Sequence, residues 1–526
     1  MRILNVLLAL LVSILIAFGI FEGGLRLTSF APTTTANHFD PSLGWSKEPG
    51  TSVRRKSAEF DIRLDINELG LRDDPMSSAA KPDGTYRVAM LGDSFTLGYT
   101  VARDGLFVDL LEDWWQLEGR TVDVINAGTE GYSTDQEVRW LVDHGEEFAP
   151  DLVMLFPYEN DVFWNGQTSY LRYPKPRYSP NGSPSELELV DPGPRNWTED
   201  WAITKALNAL SGMIKGPTEG AMYFTPKGGT KPILREFAVL LNEQPEFMNN
   251  AIARTRGSLV ALKATCAELG AELVIAPIPS KASVDPDARD RIGTGTLGLA
   301  PDTWNADAPV DLFVSLAGEL GIKTLDPRST FKAHIESGTN LYYNIDWHLN
   351  NDGNRAFARF LHDELDKPAM EVGIGKLSAP TKVDSPPRPV SSGIPTWAYV
   401  YLSLFVILSI TYKMHYKEEA FPRILVQIGA MLALIFTIFI GGGKLTTILP
   451  PEYAAILLAV VVLGLGGFIL YKLGRRISTI LELVQAFVAR GHWYLLPLLI
   501  VLLSIGSLLV VAASSPFIAP FIYTLF

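Results

Sequence analysis

The sequence predicts an α/β domain with a mostly parallel sheet, flanked by segments that read as transmembrane α-helices. Three observations lead there. Residues 24–394 alternate strand-like and helix-like stretches, a rhythm usually met by helices on both faces of one sheet. One strand-like stretch, DLVMLFPY at 151–158, is apolar almost without a break, as in a strand buried on both faces. Long uncharged runs occur at the two ends of the chain and reach bilayer length.

RVAML at 87–91 is the first strand and runs straight into Gly-Asp-Ser. FVDLLEDWWQLEG follows as a helix ending at glycine. VDVINAG is the second strand. STDQEVRWLVDHGEEF is a helix with Ser133 or Thr134 as its N-cap. After the third strand, AIARTRGSLVALKATCAELG reads as a long helix and AELVIAPIP as a strand. VDLFVSLAGELG and IKTLDP form a further helix–strand pair, and NDGNRAFARFLHDELDK closes the domain as a helix. In such sheets the site lies at the carboxyl ends of the strands. Ser94, Gly131 and Asn160 follow the first three strands.

Residues 162–245 break the rhythm. They are rich in Pro, Gly, Tyr and Trp and too long for a simple connection. We read them as an inserted cap or substrate-binding excursion. Trp164, Tyr170, Tyr173, Trp197 and Trp201 either stack on sugar rings or pack the insertion's own small core. Residues 366–396 form a Pro- and Ser-rich linker.

The run at 3–21 is uncharged and is not followed by a small-x-small cleavage site, so a retained anchor over residues 1–23 is expected. Four further spans are expected at 397–410, 424–440, 453–470 and 493–512, making 397–526 a membrane domain. Lys413, Lys417 and Arg423 lie between the first two of these, and Lys472, Arg475, Arg476 and Arg490 between the last two. With Arg2 they fall on one side, which puts the N-terminus in the cytoplasm and residues 24–394 outside. These spans contain no Asp, Glu, Lys or Arg, which argues against a transport pathway. Their small residues, as in LGLGG around Gly464, suit packing against other membrane proteins as well as simple anchoring. The formal net charge of −12 argues against nucleic-acid binding. The one cysteine, Cys266, excludes an internal disulfide and sits in a helical pattern that suits packing.

A serine on a tight strand-to-helix turn presents its hydroxyl at the sheet edge, and it needs a base. Of the seven histidines, His348 has the best setting: in NIDWHLNNDGN, Asp346 stands two residues before it and can orient its ring. A capping Asp ahead of a helix is the competing reading. No His/Asp cluster has metal-ligand spacing, so no metal and no cofactor are expected.

Four blocks, in order, resemble the SGNH hydrolases, also called the GDSL family. LGDSF resembles the first block, INAGTEGYST the second, YEND the third and IDWHLNNDG the last. INELGLRDD at 66–74 resembles a lead-in common in membrane-anchored members. The resemblance implies a three-layer α/β/α domain over 24–365 and a Ser94 nucleophile. It further implies His348 as general base oriented by Asp346, and an oxyanion hole of Ser94, Gly131 (Gly128 as fallback) and Asn160. Tyr158, Trp164 and Trp347 are candidate substrate contacts. Two departures stand out. Tyr158 replaces the usual glycine of the third block, and Asp346 precedes His348 by two residues instead of three. The latter spacing resembles the branch that O-acetylates extracellular polysaccharides such as alginate, and it leaves open a backbone carbonyl as the group that orients His348. The C-terminal RGHWYLLPLLIVLLSIGSLL and APFIYTLF resemble a small uncharacterised bacterial membrane module.

Three functions follow from this reading: a serine esterase acting on an acyl ester or glycan, an O-acyltransferase modifying an extracellular polysaccharide, or a non-catalytic subunit of a membrane complex. The resemblance implies a bacterial inner (cytoplasmic) membrane protein with a periplasmic catalytic domain. Its partners would be the lipid bilayer and other membrane proteins.

Overall fold

A computed structural model describes residues 36–374, except 58, 77, 186–187, 195–197, 200, 206, 209–219, 221 and 371, with isolated residues among 18–22 and 401–433. The chain divides into two compact units, one of residues 25–381 with 522–526 and one of residues 1–24 with 382–521. In the second unit the Tyr401 hydroxyl donates to the Gly429 carbonyl at 3.1 Å. Apart from those isolated residues, the expected spans and most of the linker fall outside the described residues. Among the described residues no helix is long and apolar enough to cross a membrane.

The first unit is built on a five-stranded sheet. Its strands are β1 (Tyr86–Gly92), β2 (Val122–Asn126), β3 (Leu152–Phe156), β4 (Glu272–Ile275) and β5 (Lys323–Thr324). They pair in parallel in the order β5-β4-β3-β1-β2. Side chains alternate across the pleat, and both faces are apolar. Ala89, Leu91, Ile125, Val153, Leu155 and Ile275 enter one core cluster. Val88, Met90, Val124, Met154, Phe156 and Val274 enter another.

Helices cover both faces. They are α1 (Ser94–Leu97), α2 (Phe107–Leu117), α3 (Thr134–Phe148), α4 (Glu159–Trp164), α5 (Glu246–Leu269), α6 (Ala308–Glu319), α7 (Arg328–Glu336) and α8 (Asn351–Leu365). α3, α5 and α6 send Val138, Leu262 and Phe313 into the first cluster. α2, α7 and α8 send Phe107, Phe331 and Phe357 into the second. Cys266 packs on the first face at 2 % exposure, and burial pushes its thiol up to about 12.

Two antiparallel hairpins precede the sheet, pairing Asn37–Asp40 with Gly44–Lys47 and Ser52–Lys56 with Asp61–Asp65. In the second, Ile62 and Leu64 face inward while Asp61, Arg63 and Asp65 face solvent.

The insertion is pinned from within. Lys175 Nζ donates to Ser133 Oγ (2.7 Å), to both Asp135 oxygens (2.7 and 2.6 Å) and to the Trp164 carbonyl (2.8 Å). The Lys175 and Asp135 side chains are both fully buried. Ser133 is the N-cap residue of α3, but its hydroxyl serves Asp135 and Lys175 and makes no cap bond.

Candidate active site

Ser94 stands on a turn that its neighbours force. A Cβ on Gly92 would lie 2.1 Å from Thr96 Oγ1 and 2.9 Å from Thr96 Cβ, so glycine lets the end of β1 turn directly into α1. Asp93 then caps α1, its Oδ1 accepting the Phe95 N–H at 2.9 Å. Gly98 closes α1 in the left-handed region at φ 75°.

Buried Arg72 completes the far end. Its Nη1 donates to the Leu97 carbonyl at 2.8 Å and to the Gly98 carbonyl, and its Nη2 donates to the Val101 carbonyl at 2.8 Å. A helix C-terminus leaves such carbonyls without partners. The lead-in INELGLRDD is thereby explained. Asn67 Oδ1 accepts the N–H groups of Leu69 and Leu71 at 3.0 Å, folding the turn from which Arg72 reaches α1.

Ser94 Oγ lies 2.8 Å from His348 Nε2, and His348 Nδ1 lies 2.5 Å from Asp346 Oδ1. A carboxylate only accepts, so Nδ1 carries the proton and the Nε2 lone pair faces the serine hydroxyl. The two-residue spacing works because Trp347, between them, adopts φ 68° and folds the backbone back on itself. That conformation costs a bulky residue about 1–3 kcal/mol. Asp346 caps no helix: α8 is capped by Asn350, whose Oδ1 accepts the Gly353 N–H at 2.9 Å.

The Phe95 ring stacks on His348 at 4.4 Å between centroids, and the Tyr99 ring at 5.7 Å. Burial disfavours the imidazolium. The charge and hydrogen bond of Asp346, with the charge of Asp93, outweigh burial and the opposing charge of Arg55, so His348 titrates above its ordinary value. Burial pushes Asp93 up to about 6, against the lowering effects of the Phe95 N–H and His348.

The three expected oxyanion donors follow β1, β2 and β3, whose ends are held together. Gly92 pairs in register with Phe156, and the Thr129 N–H donates to the Gly92 carbonyl at 3.1 Å. The fallback Gly128 has its N–H committed to Asn126 Oδ1 at 3.0 Å. Gly131 adopts φ 76°, and a Cβ there would lie 2.6 Å from the Tyr170 ring. The insertion's first hairpin, Ser169–Tyr170 with Tyr173–Pro174, therefore lies against the candidate oxyanion loop. Asn160 Oδ1 is shielded from solvent without a partner among the described residues.

The candidate substrate contacts separate. Trp164 takes the packing alternative. It is 6 % exposed, packs edge-on to Tyr170 at 4.7 Å and donates from Nε1 to Glu236 Oε2 at 3.0 Å, so its ring is spent on packing. Tyr170 and Tyr173 pack on Trp45 at 5.4 and 5.8 Å, so these rings build a core shared with the first hairpin. Trp197 lies outside the described residues. Tyr158 has φ −119°, which needs no glycine, and its ring sits 4.5 Å from Phe95 at the edge of the site. Trp347 is half-buried against the first core cluster.

Sequence reading missed the second hairpin's part in the site. Glu59, in its turn, accepts the N–H groups of Asn344 (2.6 Å), Ile345 (3.0 Å) and Asp346 (3.0 Å). Arg55, on the inward face, lies over the Tyr99 ring at 3.1 Å from its centroid. Neither stands near a recognisable motif; the alternation of Ile62 and Leu64 in DIRLD is the strand signal that hairpin carries. Away from the site, Glu118, His362 and Asp366 bring possible metal-ligand atoms together. The Arg120 guanidinium already pairs with both of those carboxylates.

Residues 240–379 match a family described as an SGNH hydrolase-like domain, acetyltransferase AlgX. The fold is SGNH-like. The matched segment contains Asp346 and His348, and the SGNH-like sheet brings Ser94 to them from outside it. Residues 477–526 match a family of unknown function, DUF5989. No curated protein matches the chain. Similar solved structures include an acetyl xylan esterase, AlAXEase, at 13% identity over 53% of this chain and 100% of that one, with a TM-score of 0.30. A member of the lipolytic protein G-D-S-L family from Veillonella parvula is 13% identical over 53% and 97%, with a TM-score of 0.28. The lipase/acylhydrolase from Enterococcus faecalis is 14% identical over 53% and 95%, with a TM-score of 0.29.

Proposed function

We propose that the chain is a serine-dependent esterase that cleaves acyl esters through a Ser94 acyl-enzyme. The observation that carries this reading is the unbroken hydrogen-bonded series from Ser94 Oγ through His348 to Asp346. Ser94 Oγ attacks the acyl carbonyl carbon while His348 Nε2 takes the hydroxyl proton. Asp346 holds the ring and stabilises the imidazolium. The carbonyl oxygen becomes an oxyanion, met by the N–H groups of Ser94 and Gly131 and the Asn160 amide. His348 then returns its proton to the leaving alkoxide as the ester C–O bond breaks. In the second half, His348 deprotonates water, which attacks the acyl-enzyme, and the imidazolium then gives that proton to Ser94 Oγ as the acyl C–O bond breaks, releasing the acid.

A second reading is O-acetyl transfer, in which a sugar hydroxyl replaces water in that last step. It is favoured by the acetyltransferase named in the matched family's description and by the two-residue Asp346–His348 spacing. The setting we propose is a membrane-anchored enzyme whose catalytic domain lies outside the cytoplasm of a bacterium. The distribution of basic residues among the apolar runs supports that orientation. The glycan substrate class and partner membrane proteins belong to the same proposal.

The test treats the full-length protein in detergent with a fluorophosphonate probe and with p-nitrophenyl acetate, alongside Ser94→Ala. Labelling and turnover that vanish in Ser94→Ala are expected. A folded wild type that neither labels nor turns over refutes the serine mechanism. Polysaccharide acceptors added to the active protein separate transfer from hydrolysis.

A further inference from the structure

We propose that Glu59, in the turn of the second hairpin, is a positioning residue for the Asp346–His348 pair. This rests on the serine reading above and adds an element outside its four sequence blocks. The Glu59 carboxylate takes three consecutive backbone N–H groups. Oε1 accepts from Asn344 at 2.6 Å and Ile345 at 3.1 Å, and Oε2 accepts from Ile345 and Asp346, each at 3.0 Å. Those N–H groups belong to the residues leading into Trp347, whose left-handed backbone brings Asp346 against His348. An unfavourable backbone conformation persists only when its surroundings over-determine it. A charge-assisted clamp on three amides supplies that constraint from outside the loop.

The hairpin is itself well seated. Phe60, Ile62 and Leu64 share a buried cluster with Leu97 of α1, and Phe60 packs on Tyr343 at 5.7 Å. Glu59 is thus tied at one end to the serine's helix and at the other to the histidine's loop. The other charged groups facing His348 are Asp346 on its own loop, Asp93 from the β1–α1 turn and Arg55 from the same hairpin. Asp346 and Lys281 are the charged groups facing Glu59. Burial raises the Glu59 carboxyl above its ordinary value, against the lowering effect of the three amides.

Full-length Glu59→Ala and Glu59→Gln are compared with wild type. Glu59→Ala removes the clamp and its charge, whereas Glu59→Gln removes the charge and keeps one acceptor oxygen. In Glu59→Ala, kcat for p-nitrophenyl acetate should fall on the order of 100-fold, the size of loss that small displacements of catalytic groups produce. KM should hold within about twofold, because substrate binding is unchanged. Glu59→Gln should retain an intermediate kcat. The His348 titration, followed by NMR of 13C-labelled histidine and assigned by its loss in His348→Gln, should shift to lower pH in Glu59→Ala and less in Glu59→Gln. Equal behaviour of the two variants, or wild-type kcat and titration in Glu59→Ala, overturns the proposal. The titration is also read in a Ser94→Ala background, where no turnover is needed. A protein inactive at Ser94 whose His348 still responds to Glu59 separates failure of the serine reading from failure of the clamp.

Discussion

Replacing Asp346 by Asn keeps the size of the side chain, removes its charge and reverses part of its hydrogen-bonding character. In the native site the carboxylate accepts from His348 Nδ1 at 2.5 Å and so leaves Nε2 free to take the Ser94 proton across 2.8 Å. An Asn amide placed there can donate to Nδ1, which forces the proton onto Nε2. The ring then offers Ser94 a donor where a base is needed. The same change in a serine triad costs about 10,000-fold in kcat, equivalent to about 5 kcal/mol of transition-state stabilisation. The pH profile carries a second, independent sign. In the proposed mechanism neutral His348 is the active base, so the acid limb of kcat/KM follows its pKa in the free protein. Burial lowers that pKa, and the charge and hydrogen bond of Asp346 raise it. Asp346→Asn removes both raising effects and leaves Asp93 against burial and Arg55. The acid limb must therefore move to lower pH. The assay is kcat/KM for p-nitrophenyl acetate across the acid limb, wild type beside Asp346→Asn. A loss below about tenfold with an unmoved acid limb would sink the reasoning and point to another group as the orienter of His348.

Two further outcomes follow from the same geometry. Lys175→Met strands the buried Asp135 carboxylate, and breaking such a pair costs about 3–5 kcal/mol. Chemical denaturation should show that loss, with Asp135→Asn/Lys175→Met recovering part of it. Asn160→Ala removes one proposed oxyanion donor and should lower kcat about 100- to 1,000-fold with little change in melting temperature; an unchanged kcat would remove Asn160 from the site.

Much of the fold was legible in advance because it obeys local periodicity. DLVMLFPY reads as a strand buried on both faces, and β3 contributes Val153 and Leu155 to one cluster and Met154 and Phe156 to the other. The strand-to-helix turn at Ser94 was legible because Gly-Asp-Ser is a short-range device. Gly92 relieves a clash, and Asp93 caps its own helix. The placement of Trp164 was not legible. An aromatic in a polar insertion has the same sequence signature whether it meets a sugar or a neighbouring ring.

By itself, then, the sequence determined the α/β rhythm, the ends of the strands where Ser94, Gly131 and Asn160 stand, and Asp346 and His348 as the pair to watch. Only the tertiary structure decided what holds them. The 254-residue separation between Ser94 and His348 is closed by the sheet. Glu59 meets Asp346 across 287 residues, and Arg72 meets the carbonyls that follow Ser94 across 25 or more. Hydrophobic alternation repeats along the chain and is read from a short window. A buried carboxylate or guanidinium satisfies backbone groups wherever the fold brings them, and no local pattern specifies those partners.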